Sequence, residues 1–80
     1  MCHMSIEIDQ SIHPVAPVLE AVELSGFYLR SIRVVPSANS RRAAVYLSLG
    51  GGSKIHLNSL TADVQRLPGV IALHNTMPPV

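Results

Sequence analysis

Apolar residues recur along the chain with two different periods, one typical of strands and one typical of helices. In residues 4–9 apolar and polar side chains alternate, which predicts a first strand with one buried face. Further on, apolar residues recur at intervals of three and four, which predicts a helix from about Pro14 to Ser25. Gly26 follows where a left-handed helix cap is needed. The apolar stripe of this helix comprises Val15, Val18, Leu19 and Val22.

Residues 27–35 are predicted to form a second strand with an irregularity. Its apolar side chains occupy odd positions up to Leu29 and even positions from Ile32 onward. A one-residue shift in a strand turns every later side chain to the other face of the sheet. We therefore expect a bend or bulge near Arg30 and Ser31, which would return the apolar side chains to one face.

A hairpin, a second helix and a last strand complete the pattern. Turn-forming residues at 36–40 precede a third strand, in which apolar positions alternate through residues 43–49. After three glycines, Ser53 is expected to cap a helix that ends at Pro68-Gly69. Residues 70–74 form the last short strand. The apolar stripe of the second helix comprises Leu57, Leu60, Val64 and Leu67.

This order of elements predicts an α+β fold of the ferredoxin-like type. Two split strand-helix-strand units with right-handed crossovers give a four-stranded antiparallel sheet with both helices on one face. The chain is expected to form one domain over residues 1–80, with its core at about 4–75 and a flexible tail at 76–80. The second and fourth strands should lie at the two edges of the sheet.

The edge formed by the second strand is the predicted site of self-association. It carries Ile32 and Val34, and only Arg30 and Arg33 interrupt its apolar surface. An edge strand offers unpaired backbone donors and acceptors, which the same edge of a second copy can satisfy. The sequence therefore predicts a homodimer that is paired side by side through this strand.

The charge, length and cysteine content of the chain limit what it can bind and where it is expected to act. With 14% charged residues and a net charge of +1, the chain has no basic stripe of the kind that binds nucleic acid or a membrane surface. A chain of 80 residues, 48% of them hydrophobic, buries only about 60% of its unfolded surface, so a partner is expected. The single Cys2 cannot form an internal disulfide and no signal peptide is recognised, which indicates a cytoplasmic protein.

Residues that often carry chemistry are scattered along the sequence. The four histidines are predicted on four different elements without the closely spaced ligands of a zinc site, so no metal site is expected. The five carboxylates are equally dispersed, so no catalytic residue is assigned. Only Tyr46 is available on the central strands for the base stacking that RNA recognition requires. The histidines are His3, His13, His56 and His74.

The segment from Gln10 to Val15 is the best candidate for a small-ligand site. It joins a central strand to the N-terminus of the first helix, where free N–H groups and the positive end of the helix dipole suit a carboxylate. The alternative is a plain connection, because Pro14 and Pro17 each remove a backbone donor. The residues alone leave both interpretations open.

Two segments resemble the ACT family, and within it the small regulatory subunit of acetolactate synthase. The stretch from Gly26 to Val34, GFYLRSIRV, is similar to the family's segment of glycine, aromatic, aliphatic, serine and aliphatic residues after the first helix. Leu67 to Val70, LPGV, resembles its exit from the second helix. The similarity extends over about residues 4–75.

The resemblance implies a non-catalytic activating or regulatory subunit of branched-chain amino-acid (isoleucine, valine and leucine) biosynthesis. Such a subunit dimerises through its sheet edges and binds the catalytic subunit of acetolactate synthase, which holds thiamin diphosphate and magnesium. This chain itself would need no cofactor. The alternative function is a free-standing ACT sensor of an amino acid, which controls a different enzyme or a transcription factor.

The resemblance also indicates where an effector amino acid would bind. The family's contact positions fall on Gln10, His13 and Tyr28, with Ser11 and Val15 in the same loop. The residues at the three contact positions differ from the family's asparagine, glycine and asparagine, as in the short, valine-insensitive type of small subunit. For the contact with the catalytic subunit, we expect the exposed sheet face, which carries Arg42 and Tyr46.

Overall fold

Four strands and two helices follow one another in the order that the hydrophobic pattern predicts. The computed structural model describes residues 2–12, 14–38 and 40–76, and the backbone alone for the last two of them. A single 3-10 turn, Gln10–Ile12, joins the first strand to the first helix. The strands are β1 (Cys2–Asp9), β2 (Phe27–Pro36), β3 (Arg42–Gly51) and β4 (Val70–Thr76), and the helices are α1 (Val15–Leu24) and α2 (Lys54–Gln65).

The strands form one antiparallel sheet in the order β2-β3-β1-β4. This order confirms the predicted ferredoxin-like α+β fold, with β2 and β4 at the edges. Of the ten residues of β2, only Phe27 is buried. The edge strand that was predicted to be apolar, β2, is therefore also the strand whose side chains are most exposed to solvent.

The core lies between one face of the sheet and the two helices. Alternate residues of β1 and β3 are buried and contact the helices, as period-two patterning requires. Neither α1 nor α2 lies over the opposite face of the sheet, which we call the open face. The buried strand residues are Cys2, Met4, Ile6, Ile8, Phe27, Ala43, Val45, Leu47 and Leu49, and the buried helical residues are Val18, Val22, Leu57, Leu60 and Val64.

Both helices have the boundaries that their flanking residues favour. The Ser53 side chain caps α2 by accepting a hydrogen bond from the His56 N–H at 3.3 Å, as predicted. Gly26 follows α1 with φ of 83°, the left-handed conformation expected there. The predicted end of α2 is wrong, because the helix ends at Gln65. Proline disfavours helical geometry in the residue before it, so the chain leaves the helix ahead of Pro68.

Two strands are irregular, and only one irregularity was predicted. In β2 the pairing with β3 shifts between Leu29 and Ser31, which confirms a bulge at Arg30. In β4 the pairing with β1 also shifts, which leaves Ile71 as an extra residue. At its far end β4 includes Thr76, the first residue of the predicted tail, whereas residues 77–80 lie outside the described part of the chain.

Candidate functional site

The loop between β1 and α1 is held by hydrogen bonds centred on Asp9. The carboxylate of Asp9 accepts from the Ser11 hydroxyl at 2.6 Å and from the Ser11 backbone N–H at 2.9 Å. The backbone N–H of Asp9 donates to Gly69 O, and that of Gln10 donates to Arg41 O, both at 2.7 Å. The Ser11 hydroxyl therefore already donates its hydrogen to a protein acceptor.

The same hydrogen bonds set the protonation of Asp9. They are the main reason why the pKa of Asp9 lies below its ordinary value, with further help from the positive charges of Arg41 and Arg42. Since the pKa is lowered by folding, the stabilisation is present above the ordinary carboxyl pKa and is lost as the pH falls through the lowered value. At neutral pH the loop therefore carries a fixed negative charge at its start.

Two of the predicted effector residues come together in a shallow cavity. The cavity measures about 290 Å³ and lies between the β1–α1 loop and β2. Among the described lining residues, Gln10 is the only one with a polar side chain, and α1 begins beside it with no side-chain cap. Ser11, also predicted in this loop, is not among the lining residues, and His13 lies outside the described residues. The lining residues are Ile8, Gln10, Pro14, Val15 and Val34.

Tyr28, the remaining predicted contact, lies elsewhere. It pairs with Gly50 near the start of β2, and its ring covers Gly50 on the open face. The cavity beside Gln10 instead adjoins Val34, close to the other end of the strand. Six residues of strand separate the two positions by about 20 Å. A single protomer therefore does not bring Tyr28 together with Gln10 and Val15.

The predicted edge residues form a continuous apolar strip along β2. Ile32 and Val34 face the helix side, where they pair with buried residues of β3, yet they are 39% and 43% exposed. Leu29 extends the strip on the same side, with 38% exposure. Arg30 lies at the bulge between them. These three side chains therefore remain partly exposed to solvent, although they lie on the same side of the sheet as the helices.

The open face carries both residues that were predicted to contact a partner. The guanidinium of Arg33, on β2, lies 5.0 Å from the ring centroid of Tyr46 and forms a cation–π contact. At the other end of β3, Arg42 Nη1 lies 3.1 Å from Glu7 Oε1. Both partners of this ion pair are well exposed, so it contributes at most about 1 kcal/mol and mainly orients Arg42.

A depression of about 760 Å³ occupies the open face beside these residues. Its lining includes the small side chains Ala44 and Ala72, which lie on either side of Glu7 across β3, β1 and β4, and Ser5, two residues from Glu7 along β1. Arg42 lines the depression beside Glu7. The small side chains leave room for a protruding side chain of another protein.

Sequence reasoning overlooked the concentration of positive charge on the β2–β3 hairpin. Four of the six Lys and Arg residues lie between residues 27 and 51, a stretch with no acidic residue. A net charge of +1 for the whole chain conceals this local excess. Counting the charges separately for each predicted strand and helix would have revealed it. These residues are Arg30, Arg33, Arg41 and Arg42.

The described residues show neither a metal-binding cluster nor a membrane-spanning helix. Among the described residues, no three side chains of His, Cys, Asp or Glu come close enough together to hold a metal ion. Neither α1, with 10 residues, nor α2, with 12, has the length and hydropathy of a membrane-spanning helix, and residues 2–12, 14–38 and 40–76 contain no other α-helix.

Comparison with known proteins identifies the fold but no family. No family model and no curated protein matches the chain. The C-terminal domain of the MgtC protein from Mycobacterium tuberculosis has a TM-score of 0.76 at 20% identity, over 94% of this chain and 83% of that one. The uncharacterized protein TM1266 from Thermotoga maritima has a TM-score of 0.71 at 13% identity, over 94% and 91%.

A third neighbour is a much longer protein. Formyltetrahydrofolate deformylase from Burkholderia mallei has a TM-score of 0.66 at 13% identity, over 94% of this chain and 26% of that one. Identities of 13–20% establish a shared fold and nothing finer. The chain is therefore a small domain whose ferredoxin-like fold occurs in several otherwise different proteins.

Proposed function

We propose that the chain is a non-catalytic regulatory module of the ACT type, which acts by binding a larger enzyme. The observation that carries this proposal is that two sheet surfaces, the β2 edge and the open face, are uncovered in one protomer. A small domain with exposed apolar surface of this kind gains stability by sharing it with partners. Support also comes from the deformylase neighbour, in which this fold accounts for only 26% of the chain.

The two surfaces suit two different contacts. The β2 edge presents unpaired backbone groups beside Ile32 and Val34, which a second copy of the chain can pair in a homodimer. The open face presents Tyr46 and Arg42 next to a depression that is lined in part by small side chains. Tyrosine and arginine are the residue types that most often anchor protein interfaces. The larger enzyme is therefore assigned to the open face.

We further propose that the larger enzyme is the catalytic subunit of acetolactate synthase, which would carry thiamin diphosphate and magnesium. The support is the resemblance of residues 26–34 and 67–70 to its small subunit. Those segments form the first part of β2 and the turn that leads into β4. The role of the chain would be to raise the turnover of that enzyme in branched-chain amino-acid synthesis.

The cavity beside Gln10 and Val15 favours a second candidate, a free-standing amino-acid sensor. Its apolar lining suits an aliphatic side chain, and Gln10 supplies a polar contact. Isothermal titration calorimetry of the chain with each of the twenty amino acids separates the two candidates. A sensor binds one amino acid tightly, whereas an activating subunit of the valine-insensitive type binds none.

The main test titrates the purified chain into an acetolactate synthase catalytic subunit of the same organism while acetolactate formation is followed. We expect turnover to rise and to saturate. Tyr46→Ala should need about tenfold more chain for half-maximal activation, which corresponds to about 1.4 kcal/mol of binding free energy. Ile55→Ala, on an exposed position of α2, is the matched control and should activate like the wild type.

The outcomes separate the parts of the proposal. Unchanged turnover at saturating chain would overturn the assignment to acetolactate synthase. Activation that Tyr46→Ala and Ile55→Ala support equally would instead remove the open face as the contact. Circular dichroism of both variants verifies that they are folded, which is expected because both side chains are partly or largely exposed.

A further inference from the structure

We infer that two copies of this chain pair through β2 in one register, centred on Ile32, and that the bulge at Arg30 selects this register. The inference rests on the homodimer in the proposed function and adds its geometry. Three features of β2 carry the argument: the position of the bulge, the exposed apolar side chains on both faces, and the direction of the Arg33 side chain.

The bulge divides β2 into two segments that present their side chains out of phase. Before the bulge, Leu29 pairs with the buried Leu49 and faces the helices, while Tyr28 faces the open side. After the bulge, even-numbered residues face the helices, so that Ile32 lies opposite the buried Leu47. Arg30 is the extra residue, and it has no pairing partner in β3.

In a side-by-side dimer both helical layers lie on the same side, and residues directly opposite each other share a face. A two-fold axis at Ile32 places this residue opposite Ile32 of the partner subunit. Ser31 then lies opposite Arg33 of the partner subunit. Because Arg30 is skipped, Leu29 lies opposite the partner's Val34, and Tyr28 opposite the partner's Val35, with the faces matched at each pair.

This register gives an apolar neighbour to each exposed apolar residue of the edge. Each of these apolar residues lies opposite another apolar residue of the partner subunit. The two arginines of the strand, Arg30 and Arg33, do not lie opposite each other. Arg30 leaves the ladder at its bulge, and the Arg33 guanidinium already lies over Tyr46, on the side away from the partner. The residues covered in this way are Tyr28, Leu29, Ile32, Val34 and Val35, which are 38–58% exposed in one protomer.

Neighbouring registers are less favourable. A two-fold axis at Arg33 would bring the two Arg33 residues closer together than the axis at Ile32 does, and it would leave Tyr28 without an apolar residue opposite it. An axis at Ser31 would place Val34 opposite Phe27, which is only 4% exposed in one protomer and so offers little surface for contact. The same axis would place Val35 opposite Gly26. Only the axis at Ile32 covers the whole apolar strip without opposing like charges.

The register also connects the dimer to the cavity beside Gln10. Val34 lines that cavity, and the partner's Leu29 would lie next to Val34 at the edge of the sheet. Pairing would therefore cover the open side of the cavity with a side chain from the second copy. In this arrangement the second copy would complete the cavity, so that its occupancy and the subunit association would depend on each other.

Disulfide cross-linking tests the register on the full chain. In a Cys2→Ala background, Ile32→Cys should form a covalent dimer under mild oxidation, because directly opposed Cα atoms lie about 4.5–5.5 Å apart, within disulfide range. Val34→Cys alone should link at least tenfold more slowly, since the two copies of residue 34 are separated by about 13 Å along the strand. The Leu29→Cys/Val34→Cys double variant should link as readily as Ile32→Cys.

Sedimentation of the wild-type chain separates the two ways in which the inference can fail. Monomers at all concentrations, with equal and slow linking at every position, would overturn the homodimer itself. A dimer in which Val34→Cys or Arg33→Cys links as fast as Ile32→Cys would retain the homodimer and overturn this register. All three positions are exposed edge sites, so the cysteine variants are expected to fold alike.

Discussion

At the scale of single residues, Gly50 and Gly52 each lie against an aromatic ring, on opposite faces of the sheet. The Tyr28 ring covers Gly50 on the open face, and the buried Phe27 ring contacts Gly52 on the helix side. A Cβ atom at either glycine would overlap the ring beside it. The two sites differ in how far that ring can move, because Tyr28 is 58% exposed and Phe27 only 4%.

Substitution of these glycines should therefore have unequal effects. Gly52→Ala forces a side chain against a ring held in the core and also places alanine at φ of 65°, so we expect a loss of about 2–4 kcal/mol in unfolding free energy. Gly50→Ala, the control, should cost about 1 kcal/mol because Tyr28 can rotate into solvent. Urea unfolding followed by circular dichroism measures both, and equal losses would contradict this account.

For Tyr28, the role implied by the family resemblance and the position implied by strand alternation disagree. Tyr28 was assigned to an effector site by resemblance alone. The strand pattern, with Phe27 and Leu29 facing inward, itself directs Tyr28 to the open face, where the structure places it. The stacking of Arg33 on Tyr46 was beyond prediction, because it depends on a cross-strand register that the bulge shifts by one residue.

At the scale of elements, the bulge in β2 could be predicted and the bulge in β4 could not. In β2 the apolar residues change phase, which signals an extra residue. In β4 the apolar run from Val70 to Leu73 has no alternation, so an extra Ile71 leaves no trace in the sequence. Register in a uniformly apolar strand is set by its neighbours, here by the pairing with β1.

The two helices begin differently, and the difference can be tested. In α2 the Ser53 side chain satisfies the His56 N–H, whereas α1 has Pro14 at its N-cap position and no side-chain cap. Ser53→Ala should lower the unfolding free energy by about 1 kcal/mol, and Ser53→Asp should retain most of the stability. Ser59→Ala, on the exposed surface of the same helix, is the control and should change stability by less than about 0.5 kcal/mol. Thermal unfolding measures the stability of the three variants. An equal effect of the two alanine variants would exclude the cap as the cause.

At the scale of the whole molecule, the proposed pairing through β2 would make folding and association parts of one equilibrium. An 80-residue domain is marginally stable alone, and the edge leaves five large apolar side chains at least 38% exposed. A partner that binds only the folded form stabilises it by mass action. The fold was predictable because its core patterning is local, whereas the proposed assembly depends on surfaces that neither α1 nor α2 covers.

This linkage predicts a melting temperature that rises with protein concentration. For a dimer, a tenfold increase in concentration adds about 1.4 kcal/mol per dimer, which raises the melting temperature of a domain of this size by about 4 °C. Ile32→Lys should abolish the rise, because it places two ammonium groups across the two-fold axis of the edge. Ile55→Lys introduces the same change at an exposed isoleucine of α2 and should leave the rise intact. Differential scanning calorimetry over a hundredfold range of concentration provides the measurement. A melting temperature independent of concentration in the wild type would mean that the apolar strip of β2 is covered by something other than a second copy.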